Sequence, residues 1–496
     1  MAQWDLAIQL DRGREETLYL QIASAIQDGI RKGRFRPGDA LPGTRALAEL
    51  LGVNRNTALT AYRELAAEGW VVSEPDRGTF VSPSPPVDLE QTSTIAAEDS
   101  GSWTSPTPMT EPFFQPPAID RDGFQLLPDL ADVRLAPTGS IHRAYGRVLR
   151  LQQQRALQPS WDPRGHLQLR TSLCQLLRDL RGINLEPGNL VLTRGLMGTL
   201  HLASKGLFTS GDAVVVESPG AFRLVESFRA AGARLLSVPV DAGGMDLDAL
   251  QTLLERESVS LICVSASPQY PTHAVMEGDH RRRLLALAKA HGARILELDL
   301  SLGFHRENAP APALASEDTE GLVFYAATLD QILAPGLQVG FIAGPAPEIK
   351  TMAKYRQLID WPGNQLHEAA LEELFRDGEI QRHLRRIRRI TDERRDSMVD
   401  RLLLHLHPFV SVVDPREGLS LWVNVREPEL LDAWADRCAT KGVVFYTGQL
   451  YEFHHHRLPF VCMGFAAHDV EEQNQACERM AEALKDVRGR LAVRRS

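Results

Sequence analysis

The sequence has few cysteines, no long apolar run and no apolar core near its start, and each lack excludes a class of protein. Five cysteines are scattered along 496 residues, at Cys174, Cys263, Cys438, Cys462 and Cys477. Their odd number and wide spacing exclude a disulfide scaffold and favour reduced thiols. No apolar run is long enough to span a bilayer, and no signal segment follows Met1. We therefore expect a soluble cytoplasmic protein without a membrane partner.

An excess of positive charge is also lacking, because the formal net charge at pH 7 is −9. Such a chain does not attract nucleic acid through its average charge, so any contact with DNA must come from a local surface. A chain of 496 residues is also longer than one hydrophobic core usually serves. We expect one small and one large domain.

A change in composition separates the two expected domains. After Val81 the chain becomes rich in proline, serine and threonine, and it stays so to about Pro117. Such a segment buries too little apolar surface to fold alone. We predict a first domain over residues 1–82, a linker over 83–123 and a large domain over 124–496. The alternative is that the linker segment is an irregular loop packed on a neighbouring domain.

Short apolar runs alternate with helix-like segments through the large domain. The strand-like runs cover residues 191–193, 213–216, 235–238, 261–264, 295–298, 322–325 and 339–342. Continuous apolar strands separated by helices indicate a mainly parallel sheet that is covered on both faces. The predicted fold class is therefore multidomain α/β.

Residues 18 to 81 have the pattern of three helices followed by a β-wing. The third helix follows Asn54, a residue favoured as an N-cap. Its predicted core face consists of Ala58, Ala61, Tyr62 and Leu65. The first turn of this helix then presents Arg55, Asn56 and Thr57, which can reach base edges and phosphates. Two strands over 70–73 and 79–81 form a wing whose tip is basic.

These residues resemble the winged helix-turn-helix of GntR-type transcription regulators. The matching runs are Leu41–Ala48, Gly52–Thr57, Glu68–Gly69 and Arg77–Val81. The resemblance implies that the arginine of the second helix, the first turn of the third helix and the wing contact operator DNA. The predicted DNA-binding residues are Arg45, Asn54, Arg55, Asn56, Thr57, Arg77 and Gly78. The alternative for Arg45 and Arg55 is that they only solvate a helical surface.

Segments of the large domain resemble fold-type I aminotransferases, in particular the domain that is fused to a winged helix in MocR-type regulators. The matching segments follow the family's order and cover residues 161–170, 193–195, 211–220, 268–272 and 333–341. The resemblance implies the fold of a pyridoxal phosphate-dependent transferase. It also implies a homodimer that presents two winged helices to double-stranded operator DNA, and a cleft that could hold a small-molecule effector.

The residues that the cofactor chemistry needs are replaced in this chain. Pyridoxal phosphate needs a lysine amine, a carboxylate beside the ring nitrogen and cationic donors for its phosphate. The family's lysine, ring-nitrogen carboxylate, ring tyrosine, phosphate arginine and substrate arginine correspond here to Gln331, Leu298, Leu300, Gln338 and Cys462. The family's serine before the lysine corresponds to Asp330, and the aromatic residue after Pro-Gly corresponds to Ala221, with Phe222 one place later.

A glutamine amide cannot form an imine, so the sequence predicts a non-enzyme with no cofactor. Two alternatives stay open. The first is a regulator that binds pyridoxal phosphate without a covalent bond. The second is an active aminotransferase that uses another lysine, and the candidates are Lys205, Lys289, Lys350, Lys354 and Lys441.

Two further clusters attract attention. His454, His455 and His456 favour a solvated loop over a metal site, because consecutive side chains point in different directions. A basic stretch comprises Arg382, Arg385, Arg386, Arg388 and Arg389. It is typical of a long solvated helix, with a contact to the DNA backbone as the alternative.

Together these features predict a sequence-specific transcription regulator of the cytoplasm, associated with the nucleoid. Its aminotransferase-like domain would be catalytically inactive and would serve dimerisation and ligand sensing.

Overall fold

The computed structural model describes residues 8, 10–11, 17–74, 77–86, 123–128, 130–152, 157–158, 162–265, 268–305, 312–360, 363–413, 415, 417–453 and 456–495. The chain divides into two compact units, Met1–Pro108 and Met109–Ser496. Most of the predicted linker, residues 87–122, lies outside the described residues. The domain boundaries therefore stay a prediction.

The first unit contains three helices and a small antiparallel sheet. Its elements are α1 (Leu18–Arg31), β1 (Ala40–Leu41), α2 (Thr44–Leu51), α3 (Arg55–Ala67), β2 (Val71–Glu74) and β3 (Gly78–Val81). The strands are ordered β1-β3-β2. The predicted core face of α3 is buried, at Ala58, Ala61, Tyr62 and Leu65. The Tyr62 hydroxyl donates to the Pro42 carbonyl at 2.6 Å, which ties α3 to the start of α2.

The second unit is built on an eight-stranded sheet. Its strands are β5 (Leu190–Thr193), β6 (Ala213–Ser218), β7 (Arg234–Asp241), β8 (Gly244–Met245), β9 (Val259–Val264), β10 (Arg294–Asp299), β11 (Val323–Thr328) and β12 (Gly340–Ala343). Their order is β5-β12-β11-β10-β9-β6-β7-β8. The five central strands β11, β10, β9, β6 and β7 pair in parallel with their neighbours in this group. Strand β12 is antiparallel to β11 and β5. This confirms the mainly parallel sheet that the continuous apolar strands predict.

Helices connect these strands and cover the sheet. They are α4 (Thr138–Gln152), α5 (Leu167–Arg181), α6 (Gly195–Leu207), α7 (Phe222–Ala230), α8 (Leu247–Leu254), α9 (Gly278–His291), α10 (Ala346–Ile359) and α11 (Gln365–Arg376). Leu192 of β5 and Phe341 of β12 belong to one apolar cluster. Their neighbours along the same strands, Val191 and Ile342, belong to another. Because neighbouring residues of one strand alternate between clusters, apolar packing occurs on both faces of the sheet.

The long helix α12 (Glu379–Leu406) leads to a smaller C-terminal layer. That layer contains β13 (Val410–Val412), β14 (Ser420–Val425), α13 (Leu431–Thr440), β15 (Val443–Val444), β16 (Tyr446–Thr447), β17 (Phe460–Gly464) and α14 (Val470–Arg495). Four of its strands form a sheet in the order β13-β14-β17-β16, while β4 (Phe124–Gln125) pairs with β15. Helix α12 packs Leu384 into the core of the large sheet and Leu402 into the core of this layer. One helix therefore joins the two cores.

A buried ion cluster connects α5, the end of β10 and the loop before β14. The Arg181 guanidinium lies 2.6 Å from an Asp299 carboxylate oxygen and 3.0 Å from one of Glu417, with its side chain fully buried. The Tyr325 hydroxyl donates to Asp299. Burial alone would raise the pKa of Asp299, but Arg181 reverses this and the pKa is lowered. The cluster therefore holds charged groups inside the protein.

We expect Arg181→Met to destabilise the large unit by about 3–5 kcal/mol, because it leaves two buried carboxylates without their cation. The free energy of unfolding at pH 7, from urea denaturation, measures this effect. The control is Arg150→Met on the exposed end of α4, for which we expect a change below about 0.5 kcal/mol. Equal stabilities of the two variants would contradict the role of the cluster.

Candidate DNA-binding surface and cofactor cleft

The first turn of α3 is held by a cap and exposed. Helix α2 ends at Gly52, whose φ of 60° lies in the left-handed region that glycine tolerates. The Asn54 carboxamide oxygen then accepts the Asn56 backbone N–H at 2.8 Å and caps α3. Arg55 and Asn56 are exposed on this turn, and Thr57 is half-buried. The turn therefore presents these side chains to solvent from a capped backbone, as a base-reading helix needs.

The remaining predicted DNA-binding residues lie on the same unit. Arg45 of α2 is exposed, and neither it nor Arg55 has a hydrogen-bond or ion-pair partner among the residues described here. Arg77 differs, because its guanidinium pairs with Glu74 at 2.5 Å and lies over the Phe80 ring. Gly78 is exposed with a φ of 115°, a conformation that side chains rarely adopt. At the wing tip, the charge of Arg77 is thus paired with that of Glu74, which the basic sequence of the tip does not indicate.

In the second unit, three of the five replaced cofactor positions come together. Leu298 and Leu300 line a space of about 10 Å³ with Leu196, Phe222 and Tyr270. Leu300 and Tyr270 also line a neighbouring space of about 20 Å³, together with Gln331. The first volume holds at most about one water molecule. Mainly apolar side chains thus surround the first of these spaces, which Arg223 also lines, whereas the second has a mixed polar and apolar lining.

Gln338 and Cys462 do not join this group. Gln338 has a φ of 52° and lines a separate cavity of about 250 Å³ with Thr193, Arg194 and His367. Cys462 lies on β17 between Trp422 and Tyr446 and is fully buried. Its thiol packs in an aromatic cluster that includes Phe222. Gln338 therefore lies at a different cavity, and Cys462 is connected with the Leu298 space only through Phe222 and its aromatic neighbours.

A role that the sequence did not predict belongs to Asp330. The Val339 backbone N–H donates to its carboxylate at 2.7 Å, and the Asp330 backbone N–H donates to Thr328 Oγ1 at 3.0 Å. The Leu196 backbone N–H, in the first turn of α6, is a further donor to this carboxylate. Burial raises the pKa of Asp330, while these hydrogen bonds oppose the rise. The carboxylate therefore lies at the positive end of α6, where an external anion would otherwise bind.

Gly195 allows this close approach. It begins α6 with a φ of 58°, and a Cβ atom there would lie 2.6 Å from an Asp330 carboxylate oxygen. No side chain other than hydrogen fits that space without movement. A signal in the sequence is the acid at 330, where the family has serine. The backbone donors that it binds are distant in sequence and cannot be identified from the pattern.

None of the five candidate lysines lines the two spaces beside Leu298 and Gln331. Lys205, Lys350 and Lys354 are exposed. Lys289 pairs with Glu320 and Lys441 with Glu482.

Of the three consecutive histidines, His456 is among the described residues. No group of side chains that could bind a metal ion is found in that part of the chain. His454 and His455 lie outside it, so the loop assignment stays a prediction. In the same described part of the chain, no helix combines the length and apolar character that crossing a bilayer requires.

Comparison with family models gives two matches. Residues 18–81 match the bacterial regulatory proteins of the gntR family, and residues 137–480 match aminotransferase class I and II. The second match covers more than half of the chain.

Named transcriptional regulators match between 70% and 96% of this chain. The probable rhizopine catabolism regulatory protein MocR of Rhizobium meliloti is 28% identical, over 96% of this chain and 95% of its own. The pyridoxine biosynthesis transcriptional regulator PdxR of Corynebacterium glutamicum is 27% identical, over 80% and 82%. The transcriptional regulator TauR of Rhodobacter capsulatus is 30% identical, over 70% and 72%.

Solved structures agree with the fold of the second unit. The α-aminoadipate aminotransferase LysN of Thermus thermophilus, complexed with N-(5'-phosphopyridoxyl)-L-leucine, is 25% identical with a TM-score of 0.69. It matches 74% of this chain and 94% of its own. The multiple substrate aminotransferase of Thermococcus profundus is 25% identical with a TM-score of 0.68, over 75% and 93%. The large unit therefore has an aminotransferase fold.

We expect Asp330→Ala to destabilise the large unit by about 1–3 kcal/mol, because buried backbone donors lose their acceptor. Thermal unfolding with and without inorganic phosphate measures the effect. Phosphate should restore part of the missing stability of this variant, because it can replace the carboxylate at the start of α6. The same phosphate should leave the parent chain unchanged. An Asp330→Ala variant as stable as the parent would contradict this role for Asp330.

Proposed function

Because the chain belongs to the MocR-type subfamily of GntR-family transcriptional regulators, in which a winged helix precedes an aminotransferase-like domain, we propose that it binds operator DNA while its large domain performs no transamination. Such a regulator would act in the cytoplasm, at the nucleoid. The observation that carries the DNA-binding part is the capped, exposed first turn of α3. Arg55 has no partner among the described residues, so its guanidinium is available to a guanine edge or a phosphate.

The residues in the cleft do not fit pyridoxal phosphate. Leu298 is 2% exposed and provides no charge for a ring nitrogen, and Gln331 provides no amine. Asp330 places a negative charge on the amides that a phosphate would need. Each missing hydrogen bond to a charged group removes about 1.5–3 kcal/mol, and an added like charge lowers the affinity further. We therefore propose a non-enzyme whose cleft does not take this cofactor, and any effector would be of another kind.

Exposed apolar residues support a homodimer. Tyr355, Leu358 and Ile359 lie near the end of α10 and are 40%, 84% and 56% exposed. Met197 of α6, which packs against α10, is 46% exposed. Apolar side chains grouped on neighbouring helices are typical of a surface that is buried by a partner. A second copy of the chain would cover them and would bring two winged helices to two half-sites.

We expect Arg55→Ala to weaken binding to a selected duplex by about 1–3 kcal/mol, the contribution of one good base contact. The duplex is first selected from a randomised pool with the parent chain, and affinity is then measured by fluorescence anisotropy at fixed salt. The control is Lys32→Ala at the exposed end of α1, which should bind like the parent chain. Unchanged binding by Arg55→Ala would refute the assignment of α3 as the reading helix.

We expect the purified chain, given one equivalent of pyridoxal phosphate and then borohydride, to gain no stoichiometric label on any single lysine. The reason is that no lysine lines the spaces beside Leu298 and Gln331. Peptide mass spectrometry locates any pyridoxyl group, and equilibrium dialysis without borohydride detects non-covalent binding. One fully labelled lysine would support an active enzyme, and tight unlabelled binding would support a cofactor-responsive regulator. Either result would contradict the proposal.

A further inference from the structure

Four exposed arginines form a strip along the first half of α12. They are Arg382, Arg385, Arg386 and Arg389, hereafter the α12 strip. Their spacing of three, four and seven residues places them on one helix face. At about 1.5 Å per residue, the strip is about 10 Å long.

The orientation of the strip is fixed by the opposite face of the helix. Ile380, Leu384 and Ile387 are buried in the core of the large sheet. The ring of His383 lies 2.8 Å from the Ile332 carbonyl oxygen, and Arg388 donates inward to the Gly303 carbonyl. Arg388 is thus a structural residue, which corrects the sequence-based description of the whole basic stretch as solvated. These contacts fix the rotation of α12 about its axis, which leaves the other four arginines on its exposed face.

Most of the charge on the strip is uncompensated. Arg382 pairs with Glu379 at 2.6 Å, whereas no ion pair within 4.0 Å is found for Arg385, Arg386 or Arg389 in the described part of the chain. Many other exposed arginines do have acidic partners, for example Arg282 with Asp279 and Arg488 with Glu427. Like charges at this spacing repel one another and destabilise a helix. An anionic partner would remove that repulsion.

A fifth arginine extends the positive surface. The Ser140 hydroxyl donates to Glu379 at 3.0 Å, which brings the start of α4 beside the start of α12. Arg143 of α4 is exposed and acts on the same carboxylate. Hydrogen bonds from Arg382 and Ser140 lower the pKa of Glu379, and the nearby positive charge of Arg143 lowers it further. One carboxylate thus faces two cations, and positive charge remains in excess in a chain whose net charge is −9.

We propose that the α12 strip binds the phosphate backbone of duplex DNA that flanks the sequence read by the winged helix. A planar guanidinium donates two parallel hydrogen bonds to a phosphate, and arginines along one helix face match a row of phosphates. The acids of the first unit nearly balance its bases, so that unit alone offers few phosphate contacts. A second contact from the same chain benefits from a high effective concentration. The proposal rests on the DNA-binding role proposed above.

The test compares two duplexes that bind the full-length chain. One carries only the selected half-sites, and the other extends them by about three helical turns, about 30 bp, on each side. For the triple variant Arg385→Gln/Arg386→Gln/Arg389→Gln, the slope of log affinity against log salt should fall on the extended duplex. The expected fall is about 0.9 for each phosphate that the variant no longer neutralises. On the short duplex, the affinity and the slope should match those of the parent chain.

Two control proteins accompany the triple variant. The triple Arg→Lys variant at the same positions should keep most of the salt slope, because each side chain retains its positive charge. Lys205→Gln/Arg256→Gln, at two exposed positions outside the strip, should behave like the parent chain. A triple Gln variant that keeps the full slope on the extended duplex would overturn the proposal.

An equal change of the salt slope on both duplexes would also overturn the proposal. So would a change in the oligomeric state of the triple Gln variant, measured by sedimentation without DNA. That result would assign the strip to contact with a second copy of the chain. A parent chain that selects no sequence from the pool would refute the DNA-reading role itself. An unchanged slope with sequence selection intact would refute the strip alone.

Discussion

The arrangement of the cleft depends on one group, the Asp330 carboxylate, which accepts the backbone N–H of Leu196 at the start of α6 and that of Val339 before β12. It joins the loop between β11 and β12 to the helix that follows β5, two segments far apart in the sequence but adjacent at the sheet edge. Because the acceptor belongs to the protein, the positive end of α6 is neutralised without a ligand. The packing of Leu298 and Leu300 among mainly apolar side chains is consistent with this, and Arg223 is the charged residue that lines the same space.

Much of the fold follows directly from the sequence. The core positions of α3 and the Asn54 cap follow from helical spacing, and the parallel sheet follows from continuous apolar strands. The clustering of Leu298, Leu300 and Gln331 follows from alignment with a known family, since homologous segments occupy the same place in a shared fold. The wing strands were placed within one residue of their observed ends.

Most of the interactions that could not be predicted join segments distant in sequence, and the others depend on side-chain rotamers. The partners of Asp330 are backbone groups, which leave no trace in residue type. The Arg181 cluster joins three segments, and no periodicity connects them. The pairing of Arg77 with Glu74 and the inward direction of Arg388 depend on side-chain rotamers and on helix rotation. Sequence patterns give the face of an element, whereas these contacts need the register between elements.

The tight fit of Asp330 against Gly195 has an evolutionary consequence. Serine at 330, the residue of the family, would leave the α6 end without its internal carboxylate, and any larger residue at 195 would collide with that carboxylate. A substitution at either position therefore constrains what the other position tolerates. The two segments, far apart in the sequence, are expected to change together among related chains.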